Sequence, residues 1–154
     1  MIPEFRRDGQ LPPGVHPADW TEFQRRFSQT PRRQTLLAGM LQATRLQATR
    51  LLKLAGCQTL YIDGSFITNK PEPGDFDACW DVSGVELALL APIFLDFSSD
   101  RAAQKAQFGG ELFPAQLPEG STGQLWLDFF QRDRNGRSKG VVALRLEDIP
   151  GEAG

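Results

Sequence analysis

Tyr61-Ile-Asp-Gly-Ser-Phe-Ile-Thr-Asn-Lys-Pro-Glu-Pro-Gly-Asp-Phe-Asp-Ala-Cys-Trp-Asp81 carries more information than any other stretch of this chain. A glycine-serine pair, Gly64-Ser65, follows a short apolar run, and Asp75-Phe-Asp77 comes after a proline-containing spacer. Carboxylates at i and i+2 of a strand project from one face. At about 4 Å and an effective dielectric of ~20, two such charges repel by roughly 4 kcal/mol, so a close pair calls for a cation. Magnesium accepts carboxylate oxygens readily. A glycine-serine turn beside it offers backbone N–H groups and a hydroxyl to phosphate oxygens. Asp75 and Asp77 are therefore candidate metal ligands, and Gly64 and Ser65 candidate phosphate contacts.

Working outward, residues 58–63 read as a first core strand and Asp75–Asp81 as a second. In the second, Asp75, Asp77 and Cys79 share one face, while Phe76, Ala78 and Trp80 turn to the core. Upstream, a short helix is expected from about Pro17–Asp19, with Trp20, Phe23 and Phe27 as core anchors at spacings of three and four. One longer helix is expected over Pro31–Ala55, capped by Thr30, with Pro31 in its first turn and Gly56 at its end. Inside it lies a tandem pentad, Leu41-Gln-Ala-Thr-Arg45 and Leu46-Gln-Ala-Thr-Arg50. Five residues turn a helix by about 500°, a phase slip of about 140°, so a poorly packed centre or a bulge is expected and Leu46 should point away from the apolar stripe.

Downstream, the pattern predicts a helix over Val85–Phe94, limited by Pro92. A serine-capped helix follows to about Gln107, and then a long connection over Phe108–Gly123. The pattern also predicts a strand over Gln124–Gln131, a turn at Arg134-Asn-Gly-Arg137 and a strand over Gly140–Leu146. The expected organisation is an N-terminal arm over residues 1–17, one domain over 18–149 and a tail over 150–154. The fold class expected is α+β: a small mixed β-sheet with N-terminal helices packed on it.

Composition narrows the chemistry. The chain has 154 residues, 40% of them apolar, enough for one domain with a real core. No apolar run reaches the ~18 to 20 residues of a membrane span, and the charged, proline-containing N-terminus lacks the apolar core of a signal peptide. Cys57 and Cys79 form neither a disulfide framework nor a metal-ligand spacing, so reduced thiols in a cytoplasmic protein are expected. His16 is the single histidine, set in a turn-like Gly14-Val-His-Pro17. A multi-histidine zinc site is excluded, and acid–base work falls to carboxylates, metal-bound water or lysine. The net charge of −2 hides a polarity. Residues 1–56 carry nine basic and four acidic side chains, a balance of +5, and residues 57–154 carry eight and fifteen, a balance of −7. The basic half could face an anionic substrate or could be a solvated surface.

The hydrophobic-Gly-Ser–spacer–Asp-hydrophobic-Asp order resembles the signature of the nucleotidyltransferase superfamily that includes DNA polymerase beta and the minimal bacterial nucleotidyltransferases. The matching positions are Gly64, Ser65, Asp75, Phe76 and Asp77, with Asp63 standing where an apolar residue is usual. Ile2-Pro-Glu-Phe, Lys70-Pro-Glu-Pro-Gly and Leu127-Asp-Phe-Phe-Gln extend the likeness to a family of short bacterial proteins within that superfamily. The resemblance implies a palm-like sheet and a third carboxylate on a neighbouring strand, for which Asp128 is the best match and Asp81 and Glu111 are weaker ones. It implies two magnesium ions, with manganese as a substitute, held by Asp75, Asp77 and Asp128. NMP would pass from an NTP to an RNA (tRNA) or protein acceptor. Lys70 and Lys139 are candidate phosphate partners, and Trp80 or Phe66 could stack on a base. A toxin–antitoxin component with an antitoxin partner is one expected setting. A catalytically inactive binding module of the same fold is the alternative.

Overall fold

The computed structural model describes residues 1–74, 76–108 and 110–150, apart from the side chains of Ala43 and Thr44. Its centre is a five-stranded mixed sheet built from β1 (Gly14–Ala18), β2 (Thr59–Asp63), β3 (Asp77–Trp80), β4 (Leu112–Pro114) and β5 (Gly140–Arg145), in the order β1-β5-β2-β3-β4. The central pairs β5–β2 and β2–β3 are antiparallel, and the outer pairs β1–β5 and β3–β4 are parallel.

Strand alternation sorts the core into two clusters. Leu60, Ile62, Ala78, Trp80, Val142 and Leu144 join the larger one, which includes residues of the helices α1 (Trp20–Phe27), α2 (Pro31–Met40), α3 (Ala43–Leu54) and α4 (Ser98–Phe108). Cys79 and Val141 belong to a smaller cluster with Phe113 and Phe130, against which Tyr61 packs. The expected division of the second strand is thus seen over its described residues, with Ala78 and Trp80 on one side and Cys79 on the other. Asp75 lies outside the described residues.

The first helix forms as its sequence predicts. The Asp19 carboxylate accepts the Glu22 N–H at 2.7 Å, and Trp20, Phe23 and Phe27 are buried on one face. Thr30 caps α2 by accepting the Arg33 N–H at 3.2 Å. The single helix expected over Pro31–Ala55 is two helices, because Leu41 ends α2 and Gln42, with ψ of 150°, starts α3. The duplication is therefore accommodated by a break inside its first copy. Identical pentads take different structures: Leu41-Gln42 is the link, whereas Leu46-Gln47 is helical. The break resets the helical phase, so Leu46, expected to point outward, is buried at 8% exposure.

Other expectations are compared with the structure in turn. Val85–Phe94 is not a helix but a run of turns followed by a 3-10 turn at Pro92–Leu95. The Glu86 N–H is spent on the Ala55 carbonyl (2.8 Å), closing off the end of α3. The strand expected over Gln124–Gln131 is instead the short helix α5 (Trp126–Phe130). Trp126 and Phe130, four residues apart, both pack on Phe113, with centroids 4.1 and 5.6 Å away. The turn at Arg134–Arg137 forms, with the Asp133 carboxylate accepting the N–H groups of Asn135 and Arg137, but it joins a helix to β5. Finally, His16 is on strand β1 rather than in a turn, and its Nε2 lies 2.6 Å from the Pro12 carbonyl. β1 crosses residue 17, the boundary expected between arm and domain, and Ile2 and Leu11 from the arm are buried.

Candidate functional site

β2 delivers the glycine-serine pair to one end of the sheet. Gly64 has φ 93° and ψ −179°, a backbone region that only glycine occupies without strain. This turns the chain out of β2 into a 3-10 turn over Ser65–Ile67. The Ser65 hydroxyl accepts the Gly74 N–H at 2.9 Å, tying both ends of the spacer together. β3 then returns antiparallel, and its register sets Asp77 directly opposite Asp63. Cross-strand partners project to the same side, so Asp63, Asp77, Tyr61 and Cys79 share one face beside the turn.

Two features of this site were not foreseen from the sequence. The first is Arg33, 4% exposed. Its guanidinium donates to the carbonyls of Phe66 (2.5 Å), Thr68 and Lys70 (2.7 Å). Arg32 donates to the carbonyls of Pro73 (3.0 Å) and Gly74 (2.7 Å), and the Thr30 hydroxyl to that of Pro71 (2.8 Å). The start of α2 thus fastens the whole spacer between the glycine-serine turn and β3. An arginine in a helix reads as surface charge, and only the tertiary structure shows it turned inward. The second is Asp63, 4% exposed, whose Oδ1 lies 2.6 Å from the Lys139 ammonium. A buried carboxylate is tolerable when it is paired and hydrogen-bonded. The departure from the apolar residue expected before Gly64 is therefore matched by a lysine 76 positions away.

The remaining candidates separate. Lys70 is exposed, and its carbonyl is held by Arg33. Asp128, expected on a strand beside β3, stands exposed on α5 and lines a cavity of about 370 Å³ with Lys139, Gln131 and Arg132. Glu111 is ion-paired with Arg101 (2.5 Å) and Lys105 (3.2 Å). Asp81 accepts the Tyr61 hydroxyl at 2.6 Å. Trp80 and Phe66 are core residues at 1% and 0% exposure, which removes both as base-stacking surfaces. The Cys79 thiol is pushed up in pKa, first by burial and then by the charges of Asp63, Asp81 and Asp77. Burial likewise pushes Cys57 up, to about 11. Both thiols are packed rather than reactive.

Comparison with known proteins places the chain. Residues 3–145 match one family along almost the whole length. The chain belongs to DUF6932, a family of unknown function. No curated protein and no solved structure matches it. The residues matched to DUF6932 include every strand of the sheet, from β1 to β5. No helix among the described residues is long and apolar enough to cross a membrane.

At the head of β3 the oxygen donors toward a cation would be Asp77 and, before it in the sequence, Asp75. Asp77 is a half-buried carboxylate, the acid opposite it, Asp63, is already paired with Lys139, and Asp75 stands two positions earlier in the chain. Oxygen ligands of this type suit magnesium or manganese. Among the described residues, which exclude Asp75, no group of three or more acids, histidines or cysteines is gathered for a metal.

Proposed function

We propose that this domain is a metal-dependent nucleotidyltransferase, moving NMP from an NTP to an RNA (tRNA) or protein acceptor. The observation that carries the proposal is the β2–β3 register, which sets Asp77 beside the glycine-serine turn at the end of β2. This chemistry needs a metal-binding carboxylate next to a phosphate-binding turn, and the nearness of Asp77 to Gly64-Ser65 supports that reading.

In this reading Asp75 and Asp77 hold the metal, and Gly64 and Ser65 grip the β- and γ-phosphates. Magnesium or manganese, when bound, neutralises charge on the attacking and leaving oxygens of an in-line displacement at the α-phosphate. Arg33, Arg32 and Thr30 act through the spacer, holding the turn and the strand head at a fixed separation. That rigidity matters because misplacement by about 1 Å can cost on the order of a hundredfold in rate. Lys70, on the exposed spacer, is the phosphate-contacting lysine of the two. Lys139 is committed to Asp63 and is a positioning residue. Asp128 keeps its assignment as third carboxylate only if substituting it abolishes activity.

One observation favours the second reading, an inactive binding module of the same fold. Asp128 stands on α5 rather than on a strand adjoining β3. The test incubates the protein with each α-labelled NTP, magnesium and cell RNA or lysate, alongside the Asp75→Asn/Asp77→Asn variant. Transfer in the wild type and none in the variant is expected. Magnesium-dependent NTP binding without transfer to any acceptor would favour the inactive module. Transfer surviving the double substitution would remove the metal-site assignment.

A further inference from the structure

A second site lies on the helical side of the sheet. A cavity of about 350 Å³ opens between the sheet and helices α1 to α4. That volume is within the roughly 300–1,000 Å³ usual for small-molecule sites. Its walls are mostly apolar and aromatic, with Trp20, Phe76 and Phe108 prominent. Phe76, Leu112 and Ile149 pack on the main core yet stay only half-buried, because part of their surface faces this space.

Among the described residues, four charged residues line it, two of each sign: Arg45 and Lys105, Asp77 and Glu111. Lys105 and Glu111 lie 3.2 Å apart within an ion-pair network that also takes in Arg101 and Asp100, so that cluster is matched within itself. The Arg45 guanidinium lies 4.9 Å from the Phe76 ring centroid, a flat cation over a flat ring. A Cβ on Gly110 would meet that guanidinium at 3.3 Å, so glycine keeps the space it needs. The Thr49 hydroxyl, on a residue lining the cavity, donates to the Leu46 carbonyl at 2.9 Å and so keeps its acceptor capacity. A balanced charge set offers no reward for a strongly charged guest. Aromatic walls with a few polar groups reward a flat ring carrying hydrogen-bonding edges.

We infer that this cavity is a binding site for an uncharged planar heterocycle. Two sources supply that chemistry: a nucleoside, or a non-nucleoside aromatic heterocycle. The site does not depend on nucleotidyl transfer, although Asp77 borders both regions and a ligand here would lie beside the strand head.

Ligand-observed NMR and calorimetry on the full chain test it, with no metal present. The probes are adenosine, guanosine, cytidine and uridine in one arm, and indole and quinoline in the other. Binding of at least one probe is expected. Ala48→Leu puts a larger side chain into the cavity from α3 and should weaken that binding by about tenfold or more while the thermal transition stays cooperative. Thr49→Phe, at a less buried position, tests the same point should Ala48→Leu fail to fold. Preference for the nucleosides identifies the first source, and preference for indole or quinoline the second. No binding by any probe, or binding undiminished in the folded cavity-filled variants, would overturn the proposal. Label transfer with an NTP KM unchanged by Ala48→Leu would leave the transfer reading standing and exclude the cavity as its base pocket.

Discussion

Gly64 is the residue on which the local geometry turns. Its φ of 93° with ψ near 180° is a conformation that a Cβ penalises by about 1–3 kcal/mol. Gly64→Ala should therefore lower unfolding free energy by that amount in urea titration, and a neutral result would mean the turn adapts easily. Glu119 offers a residue-scale test of pH dependence. The hydroxyls of Ser121 and Thr122, followed by backbone N–H groups of the same loop, bond its carboxylate and hold its pKa at about 2, below the ordinary 4.5. A depressed carboxyl pKa stabilises the fold above the ordinary value, and that contribution disappears as pH falls toward the folded value. The melting temperature of wild type should exceed that of Glu119→Gln at pH 7, and the gap should close between pH about 4.5 and about 2. A gap independent of pH would show that the carboxylate's charge is not what orders the loop. Asp63 also belongs to this scale. In the sequence it is an oddity before a glycine, and its partner Lys139 is too distant along the chain for any local pattern to pair them.

Among the elements, those governed by local chemistry were legible. α1 has a capping aspartate and three aromatics on one face, and β2 and β5 are apolar runs bounded by turns. α5 was not legible, because Leu-Trp-Leu-Asp-Phe-Phe is β-like by composition and too short for periodicity to decide. Stacking of Trp126 and Phe130 on Phe113 selects the helix. β4 carries no strand pattern of its own, since it has three residues and ends in proline. The helix break at Leu41-Gln42 could be anticipated as a packing problem but not located, since two identical pentads give no local reason to break one and keep the other. The Arg33 clamp gives an element-scale prediction. Arg33→Lys replaces a planar fork reaching three carbonyls by a single ammonium. It should cost about 3 kcal/mol, in the range of other disrupted buried networks, and amide hydrogens over residues 66–74 should exchange faster. Unchanged protection in that segment would mean the spacer is held by other contacts.

At the scale of the whole molecule, the N-terminal segment is integrated into the fold. β1 pairs with β5 in parallel, the Gly140 N–H bonds the Leu11 carbonyl at 3.1 Å, and Ile2 and Leu11 are 4% and 1% exposed. Removing residues 1–18 should abolish the cooperative thermal transition, whereas an appended arm could be deleted with little loss. The candidate site was legible in part for the same structural reason. Gly64 and Ser65 directly follow β2 and Asp77 opens β3, with one connection between them, so sequence proximity becomes spatial proximity. Asp128 comes from an element whose type and direction are set by packing, and its place relative to Asp77 could not be read from spacing. The charge polarity between the two halves of the chain is likewise partly structural, since Arg33 is buried as a clamp rather than displayed to a partner.

The role of Asp77 is the central claim, and the rate of NMP transfer from α-labelled NTP with magnesium tests it most directly, comparing wild type with Asp77→Asn at matched folded fractions. A fall of about a hundredfold or more, with the thermal transition preserved, is expected for a group acting on charge at the reacting phosphate. An equal rate in the folded Asp77→Asn protein would contradict it.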